Sequence, residues 1–237
     1  MGRYSSDPIA NAPVANQPQV APNNYVTSNP YTSNPYGMGQ PNQQMVNPMI
    51  GWPTAFPKPI IGLDLHGTLI EYVENISDVS QVVPIPGALE AVRMLRLKGH
   101  RVMIITDFPG ISKGASTQQQ ADAIIQNLMN LLGQAGCMSI DGVLYCTTEM
   151  KEDVFSKQNN GMFKKATDEQ KVDWKKGWYV GDAMEDIKAA ERIGSKPILV
   201  MTGKGQEALS KLETFANREL KKKVKIYSNL LAFAQSI

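Results

Sequence analysis

Ile60-Ile61-Gly62-Leu63-Asp64-Leu65-His66-Gly67-Thr68-Leu69 is the stretch on which the reading of this chain turns. An apolar run ends abruptly in an acid, with a glycine and a threonine close behind. That pattern predicts a buried strand delivering a carboxylate to a sharp turn. In an open α/β sheet such a carboxylate stands at the C-terminal edge of the strands, where these folds collect their ligands.

Working outward, the residues beyond Leu69 alternate between apolar runs and helical stripes. Residues 71 to 83 read as a short, mostly polar insertion, too small for a lid domain, punctuated by Pro84, Pro86 and Gly87. A helix is predicted from about Gly87 to Lys98, with Leu89, Val92 and Leu95 on one face and Gly99 as its stop. Arg101 to Asp107 (RVMIITD) reads as a second buried strand and Phe108 to Ser116 as a glycine-bearing loop. Thr117 and Gln120 form a candidate capping box for a helix to about Leu132.

Strands are further expected at 142–147, 177–181, 197–201 and 224–227. Helices are expected near Asp168 to Trp174, Met184 to Ile193 and Gln206 to Glu219, with a closing helix at the end. Alternating strands and helices predict an α/β fold with a doubly wound, Rossmann-like parallel sheet over residues 58–237.

The chain of 237 residues is not uniform. Residues 1–57 are rich in Pro, Asn, Gln, Ser and Tyr, with Arg3 and Asp7 as their charged residues, and predict a disordered arm. Within it Thr27-Ser28-Asn29-Pro30-Tyr31 recurs as Thr32-Ser33-Asn34-Pro35-Tyr36, which reads either as a spacer or as a docking arm for a protein partner.

The net charge of +2 is too small to announce nucleic acid or a membrane surface, and Lys221, Lys222, Lys223 and Lys225 read as a solvated helix end. Cys137 and Cys146 lack metal-ligand spacing and read as small core residues. No run approaches the roughly 20 apolar residues of a membrane span, so a soluble, cytoplasmic protein is expected.

Four polar points fall just past strand ends: Asp64 with His66, Thr106 with Asp107, Lys157 in its loop, and Asp182 with Asp186. A parallel sheet with right-handed crossovers gathers such points at one edge. Taken singly, Asp182 reads equally well as a helix N-cap and Asp186 as a first-turn acid on the helix dipole. Thr106 alone is ordinary strand-end chemistry, and Lys157 alone a solvated lysine.

As an ordered set these residues resemble the haloacid dehalogenase-like phosphatases, whose first motif DxDGT stands here as DLHGT. The resemblance covers about residues 60 to 235. It is strongest to the capless subgroup that includes histidinol-phosphate, heptose-bisphosphate and polynucleotide 3′-phosphatases. That subgroup's TNxPG loop is similar to Thr106-Asp107-Phe108-Pro109-Gly110, with Lys113 and Gly114 following. Its KPxPGM motif is similar to Lys157-Gln158-Asn159-Asn160-Gly161-Met162, and its GDxxxD motif to Gly181, Asp182 and Asp186.

The resemblance implies Asp64 as the nucleophile, forming an aspartyl-phosphate. It implies Mg²⁺ held by Asp64, the His66 carbonyl and Asp182, with phosphate bound by Thr106, Asp107 and Lys157 and with Asp186 orienting Lys157. Two anions approaching one another need a cation between them and donors around the phosphate oxygens, which agrees with such a set.

The chain departs from the pattern at three places. His66 replaces the aspartate that protonates the leaving oxygen, and near Mg²⁺ and Lys157 a neutral imidazole is expected, a poorer acid. Asp107 replaces an asparagine and Gln158 a proline, while the heptose enzyme's zinc-binding loop has no counterpart around Cys146. The implied function is a Mg²⁺-dependent phosphomonoester hydrolase acting on a phosphorylated small molecule or a nucleic-acid 3′ end. The rival expectation is a catalytically weakened adaptor tethered to a larger assembly by its arm.

Overall fold

A computed structural model describes residues 58–147 and 155–237, so the expected arm and its repeat lie outside the described residues. Six parallel strands form one sheet: β1 (Lys58–Leu63), β2 (His100–Asp107), β3 (Gly142–Cys146), β4 (Trp178–Gly181), β5 (Lys196–Val200) and β6 (Lys225–Tyr227). Their order is β3-β2-β1-β4-β5-β6. The chain therefore winds outward from β1 in one direction, returns to the other side of β1, and winds outward again. The reversal falls between β1 and β4, the place where doubly wound sheets open a crevice at their C-terminal ends.

The central strands are apolar throughout because both faces of the sheet are covered. Ile61 and Leu63 of β1, with Val102 and Ile104 of β2, point into one core layer beneath α1 (Ala88–Leu97). Their alternates Ile60, Met103 and Ile105 point into the opposite layer. In β3 and β4 the same alternation sends Val143 and Val180 one way, Leu144 and Tyr179 the other. Both cysteines are buried in these layers, as expected from their small apolar character.

After β2 comes a single turn of helix, α2 (Pro109–Ser112), where the sequence suggested only a loop; Pro109 at its first position is suited to start it. The Thr117–Gln120 capping box is present and starts α3 (Gln118–Gln134), whose Ile124, Ile125, Leu128 and Leu132 are buried. The helix expected at Asp168–Trp174 lies earlier, as α4 (Gly161–Gln170), between two left-handed residues, Asn160 and Lys171. Trp174 belongs instead to a short 3₁₀ turn that buries its indole.

α5 (Met184–Arg192) follows β4 and ends near Gly194, as its glycine stop predicts. The long helix expected over 206–219 divides into α6 (Gly205–Leu212) and α7 (Arg218–Lys221), separated by a 3₁₀ turn at Phe215–Asn217. Thr214 and Asn217 satisfy the Lys211 carbonyl with their side chains, which ends α6 early. After β6, α8 (Leu230–Ser236) packs Leu230 and Phe233 against α1. Lys221, Lys222, Lys223 and Lys225 are exposed, as their sequence context suggested. Among the described residues no helix is long and apolar enough to cross a membrane.

Candidate active site

Asp64 is the first residue beyond β1, and its backbone N–H is bound by the Val180 carbonyl of β4 at 2.9 Å. Asp182 is the first residue beyond β4. Because β1 and β4 are neighbours, the two carboxylates emerge side by side at the reversal of strand order. Asp186 joins them from the first turn of α5, where its Oδ2 accepts the Ala183 amide at 3.1 Å. Carboxylate oxygens of Asp64, Asp182 and Asp186 lie within 4.8 Å of one another, all three residues buried.

Lys157, only 7% exposed, enters from the opposite wall on a 3₁₀ turn. Its Nζ donates to Asp64 Oδ1 at 2.5 Å and to Asp186 Oδ1 at 3.0 Å, with Asp107 Oδ2 4.0 Å away. Burial alone would lower the ammonium's pKa, but the charges of Asp186 and Asp64 outweigh it and hold the lysine protonated. Thr106, at the end of β2, is fully buried and its Oγ1 finds no partner among the described residues. A donor left free at the edge of an anion-lined cavity is one a ligand oxygen can take.

Asp182 carries the clearest sign of a cation site. Burial, and then the charge of Asp64, push its carboxyl up to about 7. Two buried acids side by side repel, and a shared divalent ion removes that conflict. The donor set is all oxygen and hard, which suits Mg²⁺. One oxygen of Asp182, Oδ2, accepts the Lys204 amide at 2.6 Å.

His66 sits in the turn beyond Asp64 with its ring edge-on to Phe108. Its pKa falls to about 4, first because of burial; Asp64 opposes that, and Lys157 and Lys204 add to it. Burial, ahead of the neighbouring cations, is thus the first cause that favours a neutral imidazole here. The Nδ1 atom is buried without a partner among the described residues.

These residues line one cavity of about 360 Å³. Asp64, His66, Thr106, Asp107, Lys157, Asp182 and Asp186, the polar points of the sequence, all line it. The sequence reading missed the rim. Tyr72, Glu74 and Asn75 come from the 71–83 segment, and Lys204 from the turn after β5. Asn75 holds a left-handed backbone, φ 52°, a conformation asparagine tolerates, and this was the one signal its residue type offered.

A doubly wound sheet whose switch point holds a carboxylate cluster, a buried lysine and an unpartnered threonine defines a protein built to hold a cation and a phosphoryl group there. The chain belongs to the HAD-like hydrolases, as a phosphoric monoester hydrolase of that family. A family model described as HAD-hydrolase-like matches residues 154–223. A D-glycero-beta-D-manno-heptose-1,7-bisphosphate 7-phosphatase of Haemophilus ducreyi is 32% identical over 159 residues, spanning 62% of this chain and 85% of that one. The enzyme of the same name from Neisseria meningitidis is 29% identical over 180 residues, 75% of this chain and 94% of that relative. A crystal structure of the D,D-heptose 1,7-bisphosphate phosphatase from B. bronchiseptica, complexed with magnesium and phosphate, shares the fold. Its TM-score is 0.67 at 23% identity, covering 75% of this chain and 97% of that one.

Proposed function

We propose that the chain hydrolyses the phosphate monoester of a sugar, with Asp64 as nucleophile and a Mg²⁺ ion held by Asp64, Asp182 and the His66 carbonyl. The observation that carries this reading is Lys157 wedged between Asp64 and Asp186, with Asp182 completing the acid cluster. Structural ion pairs rarely gather three buried acids around one lysine beside a cavity, because the desolvation cost is high unless a ligand is to be met there.

In this reading Lys157 and the Thr106 hydroxyl grip two phosphate oxygens, and Asp186 fixes the lysine's direction. A carboxylate oxygen of Asp64 attacks phosphorus as the ester P–O bond breaks, giving an aspartyl-phosphate and a leaving alkoxide. In this reading His66 hands that oxygen a proton. Water then attacks the phosphorus of the aspartyl-phosphate, releasing inorganic phosphate and restoring the carboxylate. Bound Mg²⁺ supplies the positive charge that lets an anionic carboxylate approach an anionic phosphate. Asp107, 4.0 Å from Lys157, borders the phosphate pocket and adds a further negative charge beside the lysine.

The sugar class is supported by the relatives, which are named as heptose-bisphosphate phosphatases, and by a rim of polar side chains that suits a hydroxylated leaving group. Residues 58–237 form the catalytic unit in this proposal, with residues 1–57 an appendage outside it. Purified full-length protein should release inorganic phosphate from D-glycero-D-manno-heptose 1,7-bisphosphate in Mg²⁺, faster than from a 3′-phosphorylated oligonucleotide. Asp64→Asn should lose this activity by ~10³-fold or more. Equal rates in wild type and Asp64→Asn would refute the assignment.

A further inference from the structure

The turn after β5, Met201-Thr202-Gly203-Lys204, belongs to neither of the strands that carry the acids, yet it touches both of their loops. The Thr202 hydroxyl donates to the Gly67 carbonyl at 2.6 Å, reaching past β4 to the loop of β1. Two residues on, the Lys204 amide donates to Asp182 Oδ2 at 2.6 Å. Between them Gly203 (φ 54°) packs its bare Cα against Gly67 and the Asp182 carboxylate, and a Cβ at Gly203 would overlap both. Gly67 (φ 73°) faces the same carboxylate, and a Cβ there would overlap it too. Three stretches of backbone thus meet around one carboxylate with no space for a side chain.

From this geometry we infer that Thr202 and the Lys204 peptide are positioning groups that hold Asp182 and the His66–Gly67 peptide in register to share one cation. The inference rests on the proposed metal site and deepens it. Asp182 has Oδ2 tied to the Lys204 amide and packed against Gly67 and Gly203, which restricts rotation of its carboxylate. The Gly67 carbonyl lies one peptide beyond that of His66, so anchoring it fixes the orientation of the carbonyl proposed as a ligand. Groups that orient ligands in this way govern metal affinity nearly as strongly as the ligands do. Neither Thr202 nor Lys204 has a role in the core, and Thr202 is only partly buried.

The test is Mg²⁺ binding by calorimetry on the full chain, alongside steady-state hydrolysis of p-nitrophenyl phosphate. Thr202→Val keeps the shape and removes the donor. It should weaken Mg²⁺ binding about 10- to 100-fold and lower kcat at fixed Mg²⁺. With saturating Mg²⁺ the KM for the ester should stay near the wild-type value. Thr202→Ser, which restores the donor, should recover most of the Mg²⁺ affinity.

If Thr202→Val fails to fold, Thr202→Ala carries the same expectation. Mg²⁺ affinity unchanged in a folded Thr202→Val or Thr202→Ala protein overturns the inference alone. Wild-type protein that binds no Mg²⁺ overturns both the inference and the reading beneath it.

Discussion

Lys157 Nζ stands 2.5 Å from Asp64 Oδ1, with both side chains less than a tenth exposed. Removing one member of such a pair leaves a buried charge without compensation, here together with Asp182 and Asp186. Lys157→Met should therefore lower stability by about 3 kcal/mol and cut kcat/KM for p-nitrophenyl phosphate by roughly 10²- to 10³-fold. Denaturant unfolding and initial rates check the two effects separately. A variant as stable as wild type would mean that the acids are already neutral without the lysine.

The pH dependence of stability has a definite sign. Asp182 titrates at about 7 in the folded chain against 3.8 unfolded. Its contribution is complete below the unfolded value and is lost as pH rises through 7. His66 acts the other way, its folded value of about 4 lying below 6.5, so stability falls as pH drops through that interval. The two offset one another over most of the acid range. An uncompensated loss then remains as pH rises from 6.5 through about 7 in Mg²⁺-free protein. Mg²⁺ should raise Tm more at pH 8 than at pH 6, and Asp182→Asn should abolish both the alkaline loss and the Mg²⁺ effect. A Tm that is flat across this interval in EDTA would contradict the assignment.

His66 governs the proposed protonation of the leaving group. Held neutral, it is a weak acid at pH 7, so the rate with an alkyl phosphate should climb as pH falls at saturating Mg²⁺. His66→Asp should raise kcat for a sugar phosphate by about 10-fold or more, within the range that general acids contribute. With p-nitrophenyl phosphate, whose leaving group needs no proton, the same substitution should change little. A similar change for both esters would show that His66 acts through something other than proton donation.

Gly67 is left-handed and lies against Asp182. Gly67→Ala adds about 1 to 2 kcal/mol of backbone strain and pushes a methyl group into the carboxylate. Hydrolysis should fall more steeply than thermal stability does, which circular dichroism melts and rate assays measured on one preparation will reveal.

Much of this was legible in the sequence, and the reasons are local. Asp64, Thr106 and Asp182 each end an apolar run, so strand periodicity alone brought them to one edge, and Lys157 followed from motif order. What stayed hidden depended on contacts across the sheet. Nothing near Thr202 in sequence says that its hydroxyl meets Gly67, 135 positions away. Tyr72 and Lys204 meet at the cavity rim, the ammonium 4.1 Å from the ring centroid, although neither lies in a recognisable pattern. The misplaced α4 has a similar cause. Asn160 and Lys171, both left-handed, set its ends, and lysine is a residue type that does not announce such a turn.

The strand order has one more implication. The acid-bearing loops of β1 and β4 are neighbours in space but lie more than a hundred residues apart along the chain, with β2 and β3 laid down between them. A ribosome that has released only the first half has made the proposed attacking group, Asp64, without the Asp182 that would share its cation. In the proposed mechanism competence therefore needs β4 seated beside β1, and two complementary halves expressed separately would have to find each other before either could turn over a single ester.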